Sequence, residues 1–407
     1  MTAQTRRNGI GAAGLAVTAA GVLANGLAYV VPVLGARLLT AADLSALATL
    51  LAMTAIAGVA STGLQIAVAV HRARHGPSSG TRSALLTVGV TTGALTAALP
   101  IAVLALRLPV LATVLAGISS IGVVAAGRWF GEMQGDQRFL PLAAGLAILA
   151  GGRYGGVVLG LALGAGLTGS LLLGAATAIL VLPVLHLLAR RPGVEVAGAP
   201  LAARTVLTAG GATLAMLIVS YADLLLARRF LPFDASGAYA VGTVLTKGAL
   251  WAPQVVTVIA LPRLAQGHKR TLHLALALVG ASGLVLVAAA AAGGGLAFRL
   301  AGGADYVHLG RYAPVFAATG ALYGLVFVLV NAQVAAGARW PSAPLWIVTA
   351  AFVLAAWLAL PHTVAGIAYG ALGTAAVSLV VIGLLVALRM RGPVIDRQPE
   401  HETLFVE

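Results

Sequence analysis

Apolar residues run along this chain in blocks rather than in alternation. Stretches of about 20 residues built from Leu, Ala, Val, Ile and Gly recur from end to end, separated by short segments that gather arginine and proline. A block of that length crosses a hydrocarbon core of roughly 30 Å as a helix rising about 1.5 Å per residue. Inside lipid every backbone polar group needs a partner within the protein, which leaves helices and closed barrels. The absence of two-residue alternation selects helices. The blocks predict twelve of them, at 10–35, 44–70, 84–106, 109–127, 139–163, 168–189, 205–228, 238–262, 272–296, 312–336, 343–360 and 364–388. The region from Phe139 to Ala189 is split in two around Gly164 and Gly166, because its length fits two spans and not one.

Composition fits this reading. Of 407 residues 60% are hydrophobic and 9% charged, against roughly 45–50% and about 25% in soluble domains, so the apolar excess must face lipid. A net charge of +14 would point to nucleic acid in a soluble protein. Here the basic residues lie between spans, where they orient helices, and no nucleic-acid partner is expected. Arg6, Arg7, Arg72, Arg74, Arg82, Arg128, Arg138, Arg190, Arg191, Arg204, Arg263, Lys269, Arg270, Arg339, Arg389, Arg391 and Arg397 fall on one side, with Arg37, Arg107, Arg228, Arg229, Arg299 and Arg311 on the other. That bias predicts both termini in the cytoplasm. Arg6 and Arg7 before an apolar run resemble a signal peptide, but the run continues to about Val33 and is read as a retained first helix. The Ala, Gly, Leu, Val and Arg usage suggests a GC-rich bacterial genome, hence a bacterial cytoplasmic membrane. Cysteine is absent, which removes disulfides, thiolate metal sites and a cysteine nucleophile. The histidines lack metal-ligand spacing, so no metal is expected.

The end of the first helix matches the end of the seventh at one constant spacing: Leu34, Ala36, Arg37 and Asp43 align with Leu225, Ala227, Arg228 and Asp234, and Arg72 then aligns with Arg263 without a gap. Helices one to six therefore repeat as seven to twelve. Because six is even, both halves enter the membrane in the same sense, related by an axis along the membrane normal, as in several transporter folds. The expected organisation is an N-terminal six-helix lobe over 1–191, a cytoplasmic linker over 192–203, a C-terminal lobe over 204–389 and a disordered tail over 390–407.

Three segments carry a resemblance to a known family. NGLAYVVPVLGARLLTAADLSALATL (Asn25 to Leu50) resembles a first helix with its basic end and the start of the second, and GEMQGDQRF (Gly131 to Phe139) a cytoplasmic loop before the fifth. YADLLLARRFLPFDASGAYAVGTVLTK (Tyr221 to Lys247) resembles the seventh helix, an outer loop and the eighth. Together they are similar to the oligosaccharidyl-lipid and polysaccharide flippases of the multidrug/oligosaccharidyl-lipid/polysaccharide exporter (MOP) superfamily, over essentially the whole chain. The resemblance implies an all-α V-shaped bundle of two six-helix lobes that passes a polyprenyl-pyrophosphate-linked saccharide across the membrane by alternating access, with membrane lipid and polysaccharide-assembly proteins as partners. Relatives that export drugs or small cations share the fold, and fold alone does not name a substrate.

Ionisable side chains within a span cost about 2.5–3.5 kcal/mol on insertion scales and are functional candidates for that reason. Arg153, deep in the fifth helix, and Lys247, near the middle of the eighth, are expected to attract an anionic phosphate in a cleft, with Arg37 extending the path. The bland alternatives are that Arg153 reaches the surface beside Tyr154 and that Lys247 pairs with Asp223. Asp223, placed inside the seventh helix, is either that structural partner or a Na+ or H+ coupling site; no other cofactor is expected. Asn25 is a candidate for hydrogen bonding to sugar. Gln65, Asn331 and Gln333 are polar in or near spans as well, where such residues more often join helices. Trp251 beside Pro253 offers an aromatic wall for stacking.

A membrane enzyme would need an acid, base or metal cluster at the interface. Asp43, Glu132, Asp136, Glu195, Asp234 and Asp305 form no recognisable array, so no enzymatic activity is expected. The stronger rival is a multidrug or small-cation exporter, which calls for an acidic cleft rather than a basic one.

Overall fold

The computed structural model describes residues 3–75, 81–190, 203–265, 269–335, 338 and 340–391, with side chains over 16–72, 81–190, 210–250, 270–334, 338 and 340–388. Twelve helical rods follow one another among these residues. They are α1 (Ala3–Leu38), α2 (Ala41–Ala57 and, past a break at Gly58, Val59–His75), α3 (Thr81–Leu104), α4 (Val110–Gly135), α5 (Phe139–Ala150, a π-helical turn Gly151–Gly155, and Gly156–Ala162), and α6 (Gly166–Leu180 and Leu182–Ala189). The second half contributes α7 (Ala203–Phe230), α8 (Phe233–Ala265), α9 (Lys269–Gly302), α10 (Ala313–Ala335, after a 3-10 segment Ala304–Tyr312), α11 (Ala343–Leu358) and α12 (Val364–Arg391). Among the described residues ten helices are long and apolar enough to cross a membrane, with Ala343–Leu358 a shorter apolar helix. The molecule is an all-α, multi-pass membrane bundle of two six-helix lobes. Residues 191–202 and 392–407, which hold most of the expected linker and tail, lie outside the described residues.

The predicted helices all form, and the differences lie at their ends. α4 continues to Gly135, so Gly131–Gly135, expected to be loop, is helical and only a short turn at Asp136–Arg138 precedes α5. The reason is packing against α2. A Cβ on Gly127 would lie 2.5 Å from the Ser61 carbonyl oxygen, one on Gly131 2.6 Å from that of Gln65, and one on Gly135 2.8 Å from Cβ of Arg72. Three glycines four residues apart thus let two helix backbones approach as small-residue seams do in membranes. Arg72 closes the seam, its Nε and Nη2 donating to the two carboxylate oxygens of Asp136 at 3.1 and 3.0 Å, and Gln65 donates to Gln134 at 2.8 Å. Forked donor and carboxylate fit one another in plane, which fixes the α2–α4 ends.

Packing repeats between the lobes: α4 lies along α2 in the first, α10 along α8 in the second. The two halves meet at positions the repeat makes equivalent. Ser45 and Ser236, 191 residues apart, share a buried hydrogen bond of 2.5 Å between their hydroxyls. Equivalent residues touch only where the pseudo-twofold axis passes between them. The symmetry is incomplete, however. α7 packs along both parts of α2, whereas α1 touches α8 sparingly, and the apolar window of α1 is 11% buried against 56% for α7.

Candidate functional site

Lys247 is half-buried on α8, on the side that meets α1. α8 begins at Phe233, earlier than the apolar pattern indicates, so Lys247 stands fourteen residues in, roughly 21 Å down the helix. Its Nζ donates to the Ser220 carbonyl at 2.5 Å and to the Ser220 hydroxyl at 3.1 Å, and lies 3.5 Å from the centroid of the Tyr221 ring. From the other lobe, the Tyr29 hydroxyl of α1 donates to the Lys247 carbonyl. Asn25, one turn before Tyr29 on the same face of α1, is half-buried.

Behind the lysine the arrangement is different. Asp223 is 3% exposed, and its carboxylate accepts from the Tyr239 hydroxyl at 2.9 Å. Tyr239 is itself fully buried and packs edge-on against Phe316. Tyr323 donates to the Val219 carbonyl at 3.2 Å and closes the same layer. The carboxylate and Lys247 interact through space, but they form no ion pair within 4 Å; among the described residues such pairs join Arg72 to Asp136 and Arg128 to Glu132. The lysine turns to helix α7's backbone and an aromatic ring, and the acid to a tyrosine.

Arg153 sits on the π-helical turn of α5, in the sequence Gly151–Gly155. Glycine lets the turn widen, and the Gly152 carbonyl accepts from the Thr177 hydroxyl of α6 at 2.5 Å, which offsets the irregular backbone pairing. Arg153 does not run out to the surface. Its Nη2 donates to the Thr54 hydroxyl at 2.6 Å, across to α2, while its guanidinium stands 4.9 Å from the Tyr154 ring centroid. The two cations predicted from separate helices thus each stand over a tyrosine, Arg153 over Tyr154 and Lys247 over Tyr221. Thr54 also lines a cavity of about 150 Å³ on the far side of α2, walled mainly by Leu50, Met53, Leu95 and Ile118.

Arg37 is exposed at the end of α1, eight residues beyond Tyr29, and donates to the Leu300 carbonyl of α9 at 3.2 Å. The Trp251 side chain lies outside the described residues. Conversely, Tyr29, Tyr221, Ser220, Tyr239 and Thr54 complete the cluster without having been singled out. Tyr221 stands two positions before Asp223 and Tyr29 four after Asn25, but only the lobe pairing brings them together.

No protein-family model matches the sequence, and no curated protein is similar to it in sequence. Solved structures do share its fold. The eukaryotic MATE transporter AtDTX14 superposes with a TM-score of 0.64 at 16% identity, over 93% of this chain and 96% of that one. An inward-facing multidrug resistance MATE family transporter of the MOP superfamily gives 0.59 at 14% identity, over 91% and 96%, and an outward-facing one 0.53 at 14%, over 93% of each. Fold and site together define a helical membrane protein that shares the fold of these transporters and holds two cations, each over a tyrosine ring.

Proposed function

We propose that this chain is a transporter, not an enzyme, that moves a polyprenyl-(pyro)phosphate-linked oligosaccharide across the bacterial cytoplasmic membrane by alternating access, for cell-surface polysaccharide biosynthesis. The observation that carries this reading is the polarity of the centre. Lys247 and Arg153 are half-buried and each stand over a tyrosine ring, while the one nearby acid, Asp223, is buried and already hydrogen-bonded. A half-buried cation binds phosphate strongly and costs less beside polar partners than in lipid. The tyrosine faces add surfaces on which a sugar stacks. The loose α1–α8 side gives an amphiphile a lateral way in, with its head group admitted and its chain left in lipid. The basic-residue bias supports cytoplasmic termini.

The rival reading is a multidrug or small-cation exporter, which the multidrug transporters sharing the fold favour. It needs an accessible carboxylate, and Asp223 at 3% exposure does not supply one in this conformation. The discriminating experiment is leaflet exposure of a labelled polyprenyl-pyrophosphate oligosaccharide in proteoliposomes, run for wild type, Lys247→Ala and empty vesicles. Protein-dependent exposure weakened by the substitution supports the flippase. No exposure, together with cation-driven drug uptake, moves the protein to the exporter class.

A further inference from the structure

The end of the molecule that carries Arg37 and Arg228 is tied across the lobes by reciprocal contacts. α1 of the first lobe sends Arg37 to the last turn of α9 in the second, at Leu300. α7 of the second lobe sends the equivalent Arg228 to two elements of the first: in the turn after α3, Nε donates to the Leu106 carbonyl at 2.9 Å and Nη2 to that of Arg107 at 2.8 Å, and in the first turn of α2, Nη1 donates to that of Ala42 at 3.1 Å. Arg107 holds a positive φ of 51°, so its carbonyl points where a continued helix would not aim it. Between the two arginines lie the Ser45–Ser236 hydrogen bond and a backbone contact in which a Cβ on Gly237 would come 2.5 Å from the Ala41 carbonyl oxygen.

We infer that these contacts are a gate, closed in this conformation, and that Arg228 is its bolt. The two halves of the gate are unequal. Arg228 is 3% exposed, satisfies three carbonyls and stacks 4.8 Å from the Phe233 ring centroid, whereas Arg37 is exposed and holds one carbonyl at 3.2 Å. Separation of the lobes at this end breaks every one of these contacts, the Arg37 side being the weaker and opening first. The three carbonyls released by Arg228 lie at helix ends near the membrane surface, where water replaces the guanidinium, so the open state is accessible and not prohibitive. The inference rests on the alternating-access reading for its role in transport, but the gate itself is a property of the protein without substrate.

The chain contains no cysteine, so a pair introduced at Ser45 and Ser236 is the sole disulfide that can form. Their hydroxyls 2.5 Å apart put the two β-carbons within disulfide reach. In proteoliposomes, oxidation of the Ser45→Cys/Ser236→Cys protein is expected to arrest transport, reduction to restore it, and oxidation of either single variant to do nothing. In parallel, spin labels at Leu38 and Leu300, both exposed and on opposite lobes, report the gate without any substrate. Arg228→Ala is expected to raise the open-to-closed ratio at least tenfold, a change of about 1.4 kcal/mol or more, and Arg37→Ala about twofold or less. Complete cross-linking with undiminished transport, or an unchanged distance distribution in folded Arg228→Ala, overturns the gate. A shifted distribution with no transport of any lipid-linked saccharide leaves the gate standing and removes the flippase reading instead.

Discussion

Lys247 stands over the ring of Tyr221, with Nζ 3.5 Å from the ring centroid, while two of its donors go to Ser220. At this depth a ring face and a carbonyl stand in for water around the ammonium, with no ion pair within reach among the described residues. It also leaves a third N–H for a ligand. Lys247→Ala is expected to reduce phosphate-lipid transport at least tenfold, and Lys247→Arg to retain part of it. Removal of the lysine alone leaves Asp223 without its nearby positive charge, so the same substitution in an Asp223→Asn background, with surface expression measured, separates lost binding from lost folding.

Tyr221 is expected to act through its ring. Tyr221→Phe keeps the cation–π face and transports normally, whereas Tyr221→Leu removes an interaction of about 0.5–2 kcal/mol and raises the substrate concentration for half-maximal transport roughly two- to thirtyfold. Equal behaviour of the two variants in a concentration series would assign the tyrosine a merely space-filling part.

The α2–α4 seam yields a stability prediction. Gly131→Ala forces a methyl group to within 2.6 Å of the Gln65 carbonyl oxygen, and overpacking of this kind costs about 1–3 kcal/mol. Gly89→Ala on α3 meets no atom within 4 Å and also gains helix propensity, so it is expected to be neutral or slightly stabilising. Thermal unfolding in detergent, read by loss of the monodisperse peak, should separate the two.

How much of this was visible in the sequence follows from which forces act locally. Helices are set by runs of apolar residues within one segment, so all twelve and their order were legible, as was the repeat through Arg37 and Arg228. The extension of α4 through Gly131 was not, because those glycines favour helix only when α2 lies against them. Arg153 and Lys247 stood out by being charged within spans. Their tyrosine partners did not, since nothing along α1 marks Tyr29 as a neighbour of α8. The Leu300 partner of Arg37 was hidden for the same reason: charge at a helix end reads alike whether it faces a cleft or caps another helix.

Asp223 is expected to act in the structure and not in coupling. Its carboxylate sits 3% exposed with the Tyr239 hydroxyl donating to it, and an asparagine in its place still offers an accepting oxygen. Asp223→Asn should therefore keep whatever Na+ or H+ dependence wild-type transport shows, while Asp223→Ala strands the buried Tyr239 hydroxyl at a cost of about 1–3 kcal/mol in stability. Transport by Asp223→Asn that no longer responds to an imposed ion gradient would make the carboxylate the coupling site.

A double-substitution cycle on Arg153 and Lys247 tests whether one ligand engages both. The two lie on α5 and α8, in different lobes, each over a tyrosine ring, without contacting one another directly. If each acts on a separate step, the losses in transport from Arg153→Ala and Lys247→Ala multiply, as they do for independent sites. If both hold a single phosphate or pyrophosphate, the first substitution already forfeits most of the benefit, and the second adds less than its own effect in wild type. Arg153 carries a further structural duty to Thr54, so Thr54→Val, which removes the hydrogen bond but keeps the shape, gives the background loss to subtract. Initial rates of saccharide-lipid exposure for the four proteins of the cycle decide it: a coupling above about 0.5 kcal/mol places one anionic group between the lobes, and a coupling near zero separates the two cations functionally.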